Sequence, residues 1–234
     1  MTELREDVPV SVLRSPLTFL VDVDDTLLDN DRFRDDLESY LAASFSTSAR
    51  DAYWTIQERR FVDLGYRDYL GALQEWWLET GTCPRLLTVS GYLLDYPFAE
   101  LLYPGALDVL ARLSSAAPTV VLTDGDALYQ PHKVARAGLW DAVDGNVLVY
   151  VHKEDKLEDV ERRYPADRYV LVDDKPRIIA AAKQFWGDRV TTVLPRQGQF
   201  ATDPALVAAH PAADVTVERI ADLLELDLEP LARG

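Results

Sequence analysis

Apolar and polar positions follow two periods along the chain, and the changes of period divide it into three stretches. Leu17 to Val23 is a short apolar run rich in β-formers, which predicts a strand covered on both faces in a parallel sheet. From Phe33 the spacing turns helical. Phe33, Leu37, Tyr40, Leu41 and Phe45 recur at helical intervals, as do Tyr66, Tyr69, Leu70, Leu73 and Trp76 or Trp77, with Tyr53, Trp54, Ile56, Arg59 and Arg60 between the two sets. Gly65, Gly81 and Pro84 punctuate this region and no strand signal interrupts it, so residues 31–100 are expected to be all-helical.

Beyond residue 100 the two periods alternate. Helices are expected from Gly105 to Ser115, Tyr129 to Ala137, Asp155 to Arg163 and Pro176 to Trp186. Strands are expected at Thr119 to Leu122, Asn146 to Val151, Tyr169 to Val172 and Arg189 to Leu194, then a short one from Asp214 to Val217 and a helix through Leu226. A βαβ series of this kind implies an α/β fold, a doubly wound parallel sheet with helices on both faces. The simplest organisation is an α/β core of residues 1–30 and 101–234, interrupted after its first strand by a helical cap of residues 31–100. Hinges are expected near Asp29-Asn30 and Tyr103-Pro104-Gly105, and a lid on hinges is a common way to exclude water from a site at the sheet edge. Residues 1–16 read as a polar lead-in.

Charge narrows the partners. The 40 acidic residues exceed the 24 Lys and Arg, giving a net charge of −16 that opposes nucleic-acid phosphates and anionic lipid, so a small molecule is the expected ligand. The single cysteine, Cys83, cannot form an internal disulfide, and no signal-peptide or membrane-spanning run occurs, so a cytoplasmic location is expected. His132, His152 and His210 lack a zinc-binding spacing.

Candidate chemistry collects at the carboxyl ends of the expected strands, where ligands bind in open α/β sheets. These ends carry Asp22, Asp24 and Thr26, then Thr123-Asp124-Gly125, then Lys153, then Asp173-Asp174. Asp22 and Asp24 would point to one side if the first strand persisted to Asp24. Unit charges about 4 Å apart repel by on the order of 4 kcal/mol at an effective dielectric of 20, so converging acids require a cation. Hard oxygen ligands without His or Cys select Mg²⁺.

In this order the motifs resemble those of the haloacid dehalogenase superfamily: Asp22-Val-Asp24-Asp25-Thr26, the strand-closing Thr123, a lysine that is Lys153 or else Lys156, and the acidic pair Asp173-Asp174. The resemblance implies a Mg²⁺-dependent phosphatase of a small phosphorylated metabolite. Asp22 would be the nucleophile that forms an aspartyl-phosphate, and Asp24 the proton donor and then the base. Asp24 would also offer its backbone carbonyl to the metal, alongside Asp22 and Asp174 or Asp173. Thr26 would fix Asp24. Thr123 and the backbone N–H groups of Asp24, Asp25, Asp124 and Gly125 would hold phosphoryl oxygens, and Lys153 would neutralise nucleophile and phosphate. Dehalogenases of the superfamily need no Mg²⁺ and usually lack the second acid of the first motif, which Asp24 supplies here. The helical insert resembles the family's first type of cap.

Other readings account for less. A phosphorelay receiver has a different motif order and about half the length, and a glycosidase would leave Thr123, Lys153 and the second acidic pair unexplained. No phosphate-binding Gly-x4-Gly-Lys loop is present. A phosphotransferase or mutase would use the same intermediate with a substrate hydroxyl in place of water, and a non-catalytic binding protein could retain the fold. Arg59, Arg60, Trp54, Trp76 and Trp77 read as packing and surface charge.

Overall fold

A computed structural model of the chain describes residues 13–81 and 85–233. Cys83, Pro84 and most of the expected lead-in lie outside them. After β1 (Ser15–Val21) come four helices: α1 (Asn30–Ser44), α2 (Thr47–Leu64), α3 (Tyr69–Thr80) and α4 (Leu86–Asp95). Then follow α5 (Ala106–Ala116), β2 (Thr119–Asp124), α6 (Tyr129–Arg136), α7 (Leu139–Ala142), β3 (Val147–Tyr150), α8 (Leu157–Arg163), β4 (Ala166–Val172), α9 (Pro176–Trp186) and β5 (Val190–Pro195). The chain closes with α10 (Gly198–Thr202), α11 (Pro204–Ala208), β6 (Val215–Val217) and α12 (Leu228–Arg233).

All six strands pair in parallel in the order β3-β2-β1-β4-β5-β6, with β1 between β2 and β4. The side-chain period of two sends neighbours to opposite faces. Phe19 and Val21 pack with the α5 residues Val109, Leu110 and Leu113, whereas Leu20 packs with Leu157 and Val160 of α8 and Ile178, Ile179 and Ala182 of α9. The central parts of the strands, such as residues 19–21, 120–122 and 170–172, are apolar because both faces are covered. The helical region between β1 and β2 shares the first of these clusters. Phe33, Tyr69, Tyr96, Phe98 and Tyr129 form one run of ring contacts with centroids 4.9–6.5 Å apart, joining it to the foot of α6.

Local signals set the helix ends. Asp29, Ser46 and Asp68 accept hydrogen bonds from the first-turn N–H groups of α1, α2 and α3, and Gly65 closes α2 with φ of 77°. Pro176 opens α9 at a position where its missing N–H costs nothing.

Two expectations need correction, and two helices went unexpected. β1 stops at Val21, so Asp22 and Asp24 do not share a strand face. The chain instead turns tightly, with the N–H groups of Leu27 and Leu28 donating to Val23 O and that of Asp25 to Leu28 O. The expected last helix is a 3-10 segment, Ile220–Leu224, separate from α12. The short helices α10 and α11 had no periodic signal, being too brief to show one. No helix among the described residues is long and apolar enough to cross a membrane.

Candidate active site

The sheet aligns the acids before any side chain contributes. Asp22 N–H donates to Val172 O and Asp173 N–H to Val193 O, so both residues extend their ladders by one step and stand at adjacent strand ends. Asp22, Asp173 and Asp174 are fully buried, and one carboxylate oxygen from each lies within 4.8 Å of the others.

One ammonium pairs directly with this cluster. Lys153 Nζ is 2.5 Å from Asp22 Oδ1 and 2.7 Å from Asp173 Oδ2, with no solvent exposure. Burial disfavours its charge, yet Asp173, Asp22 and Asp124 outweigh that and raise its pKa. Lys153 does not extend β3; it opens a 3-10 turn three residues after the strand ends, and its backbone N–H is fixed by Asp124 Oδ1 at 2.9 Å. Lys156, at the far end of that turn, is exposed, so Lys153 is the lysine of the site.

The cluster retains uncompensated charge. Among the described residues, Asp22 Oδ2 and both carboxylate oxygens of Asp174 are buried without a hydrogen-bond partner, and burial drives the pKa values of Asp173 and Asp174 upward. Bare buried carboxylate oxygens are costly unless something positive meets them. A divalent cation fits this donor set: hard, all-oxygen and converging.

Around the cluster lies a second layer of contacts. Asp24 sits outside the three-acid group: Lys133 Nζ is 2.5 Å from its Oδ1 and Gln130 Nε2 is 3.2 Å from its Oδ2. Gln130 Nε2 also donates to Thr123 Oγ1 at 2.9 Å, so one amide ties the end of β2 to Asp24. Gly125 leaves room for this, because a Cβ there would lie 2.6 Å from Gln130 Cβ. Asp124 Oδ2 faces Lys175 Nζ at 3.4 Å and an Arg177 N–H at 3.3 Å. Burial pushes Asp124 up, but Lys153 and Lys175 outweigh it and hold the group below the usual carboxylate value. The Lys175 backbone N–H, in turn, fixes Asp173 Oδ1 at 2.9 Å.

Three expected contacts take other forms. The Thr26 hydroxyl accepts the Asp174 N–H at 3.1 Å, which makes it a support for the acidic pair; no bond to Asp24 is formed. The N–H of Asp25 is consumed by Leu28 O and that of Gly125 by Tyr150 O at 2.9 Å, so neither donor is free for a phosphoryl oxygen. Asp25 instead turns its side chain inward to the start of α1, its Oδ1 accepting the N–H groups of Asn30 and Asp31 at 2.9 and 3.1 Å. Burial, with help from Asp31 and Asp24, raises its pKa to about 7.

Gln130, Lys133 and Lys175 were not singled out from the sequence. For the first two a signal existed: Tyr129, Gln130, Lys133 and Val134 form the buried stripe of α6, and two polar residues inside such a stripe require partners. Asp24, Asp25, Gln130, Lys133 and Lys175 line a cavity of about 480 Å³, together with residues of the helical region. Its volume falls within the range of small-molecule sites.

A family model described as haloacid dehalogenase-like hydrolase matches residues 17–185. A solved structure described as a haloacid dehalogenase-like hydrolase of Burkholderia xenovorans LB400 is 53% identical, covers 91% of this chain and 99% of that one, and superposes with a TM-score of 0.86. Two more distant structures share the fold. The L-2-haloacid dehalogenase of Xanthobacter autotrophicus is 19% identical over 89% of this chain and 97% of its own, with a TM-score of 0.58. A HAD-hydrolase of Bacillus subtilis bound to magnesium is 16% identical over 91% and 98%, with a TM-score of 0.60. No curated protein matches the chain.

Proposed function

The chain belongs to the haloacid dehalogenase-like hydrolases, and from that premise we propose that it is a Mg²⁺-dependent phosphatase of a small phosphate monoester. One observation carries the choice within the family. Three buried carboxylates converge with a single directly paired lysine and leave three oxygens unpartnered, as a cation-dependent phosphoryl-transfer site requires. Asp22, Asp173 and Asp174, with the Asp24 carbonyl that the family resemblance adds, would hold Mg²⁺. When bound, the metal would offset the negative charge of nucleophile and phosphate.

The side chains divide the remaining work. Asp22, steadied by Lys153 on Oδ1, attacks phosphorus; a P–O bond to Asp22 forms as the bond to the leaving oxygen breaks. Asp24 gives that oxygen its proton, then takes one from the water that attacks phosphorus and releases phosphate from Asp22. Lys133 and Gln130 hold the Asp24 carboxylate at the cavity wall. Thr123 and Lys175 are the side-chain donors offered to phosphoryl oxygens, in place of the Asp25 and Gly125 amides. Residues 31–100 serve as a cap over a core of residues 1–30 and 101–234, the ligand is a small phosphorylated metabolite and not nucleic acid or membrane, and the setting is cytoplasmic.

The test is phosphate release from a panel of phosphorylated metabolites with and without Mg²⁺, beside halide release from 2-chloropropionate. Metal-dependent phosphate release that Asp22→Asn abolishes is the expected result. Halide release without phosphate release would overturn the proposal in favour of dehalogenation.

A further inference from the structure

The cavity has a second end that the chemistry above leaves unused. It is built from the helical region: Arg34 on α1, Phe61 on α2, Arg67 in the turn after α2, and Tyr69 at the start of α3. Three polar atoms at this end, Arg34 Nε, Arg67 Nη1 and the Tyr69 hydroxyl, are buried without a hydrogen-bond partner among the described residues. Their existing ion pairs leave donors over. Arg34 Nη1 reaches Asp31 Oδ1 only at 3.5 Å, and Arg67 Nη1 lies 2.8 Å from Glu58 Oε1 without the alignment of a hydrogen bond. The Tyr69 hydroxyl belongs to the same group: burial and Asp24 push its pKa up, and Arg34 and Arg67 oppose them.

Resting on the phosphatase reading for the far end of the cavity, we propose that Arg34, Arg67 and Tyr69 form a carboxylate subsite, so that the substrate is a small phosphate monoester bearing a carboxylate group. Partly filled guanidinium forks and a hydroxyl are a donor set for a planar two-oxygen acceptor. The Phe61 ring, 4.5 Å from the Arg67 guanidinium carbon, fixes the plane of one fork. Each arginine already shares an acid, Asp31 or Glu58, so the local charges balance and what the site offers is unused donors, which suit a monoanion better than a second phosphate dianion. An uncharged group would leave those donors unanswered, and such mismatches discriminate strongly between substrates.

The experiment compares 2-phosphoglycolate with ethyl phosphate, near neighbours that differ in the carboxylate, using p-nitrophenyl phosphate as a reporter of turnover. Wild-type kcat/KM should favour 2-phosphoglycolate by at least about tenfold. Arg34→Met and Arg67→Met should bring the ratio close to one by raising KM for 2-phosphoglycolate. Arg34→Lys, which keeps the charge without the fork, should recover part of it, separating recognition from damage to the fold. Equal wild-type kcat/KM for the two esters, or variants that lose both activities in parallel, would overturn the subsite. If no ester is hydrolysed, the phosphatase reading alone fails. The subsite is then read from thermal stabilisation of the wild-type protein by glycolate, with glycolamide as the neutral control. Stabilisation by glycolate only, lost in Arg34→Met, supports it, and equal responses refute it.

Discussion

Lys133 Nζ stands 2.5 Å from Asp24 Oδ1 although 109 residues separate the two, and the lysine is 1% exposed. An ammonium is buried this way only where a carboxylate meets it. Lys133→Met should therefore leave Asp24 without its counter-charge, lower stability by about 3 kcal/mol and reduce kcat more than it changes KM. Urea unfolding and steady-state kinetics on the same preparation read both effects.

Lys153 and Lys156 are three residues apart and should behave as opposites. Lys153→Ala removes the ammonium that lies within 3 Å of Asp22 and Asp173, and phosphate release should fall at least about a thousandfold. Lys156→Ala removes an exposed charge and should change the rate less than about twofold. Parallel rate measurements on the two variants decide whether the placement of Lys153 has the consequence drawn from it.

Asp174 carries two buried carboxylate oxygens without hydrogen-bond partners, held among other acids. In metal-free buffer, Asp174→Asn should raise the melting temperature by relieving repulsion. Adding Mg²⁺ at 100 times its Kd should stabilise the wild-type protein by about 2.7 kcal/mol and the variant much less. Thermal melts across a Mg²⁺ series with chelator controls give both readings, and an equal Mg²⁺ response in the two proteins would remove Asp174 from the metal site.

Asp25 yields a pH dependence of defined sign. Its folded pKa is raised to about 7, so between roughly pH 4 and pH 7 the folded state holds a proton that the unfolded chain has released. The contribution of this group to stability therefore falls as pH rises through that window. Asp25→Asn keeps an oxygen acceptor for the Asn30 and Asp31 amides and should flatten the decline, leaving the variant more stable than wild type at pH 8. Urea midpoints at pH 5 and pH 8 test this.

Much of the core could be read from the linear chain. Strand runs covered on both faces are apolar at their centres, helices carry a recurring stripe, and Pro176 marks the start of α9, so the doubly wound architecture followed from local signals. The meeting of Asp22 with Asp173-Asp174 was expected too, because parallel strands deliver their carboxyl ends to one edge.

Pairing was not legible. Which lysine reaches Asp22 depends on a 3-10 turn that buries Lys153 and exposes Lys156; sequence favours Lys153 but leaves Lys156 open. Whether an amide is free for a ligand depends on the competing acceptor that tertiary contact supplies, as Tyr150 O does for Gly125 and Leu28 O for Asp25. The partners of Asp24 come from α6, and the cavity's second end comes from helices whose periodicity specifies a buried stripe without saying what that stripe meets. Sequence by itself determined most of the elements and the edge at which the acids gather, since those depend on neighbours in the chain. The tertiary structure alone decided which charges pair, which donors remain unfilled and what faces the substrate, because each depends on atoms brought together from distant parts of the chain.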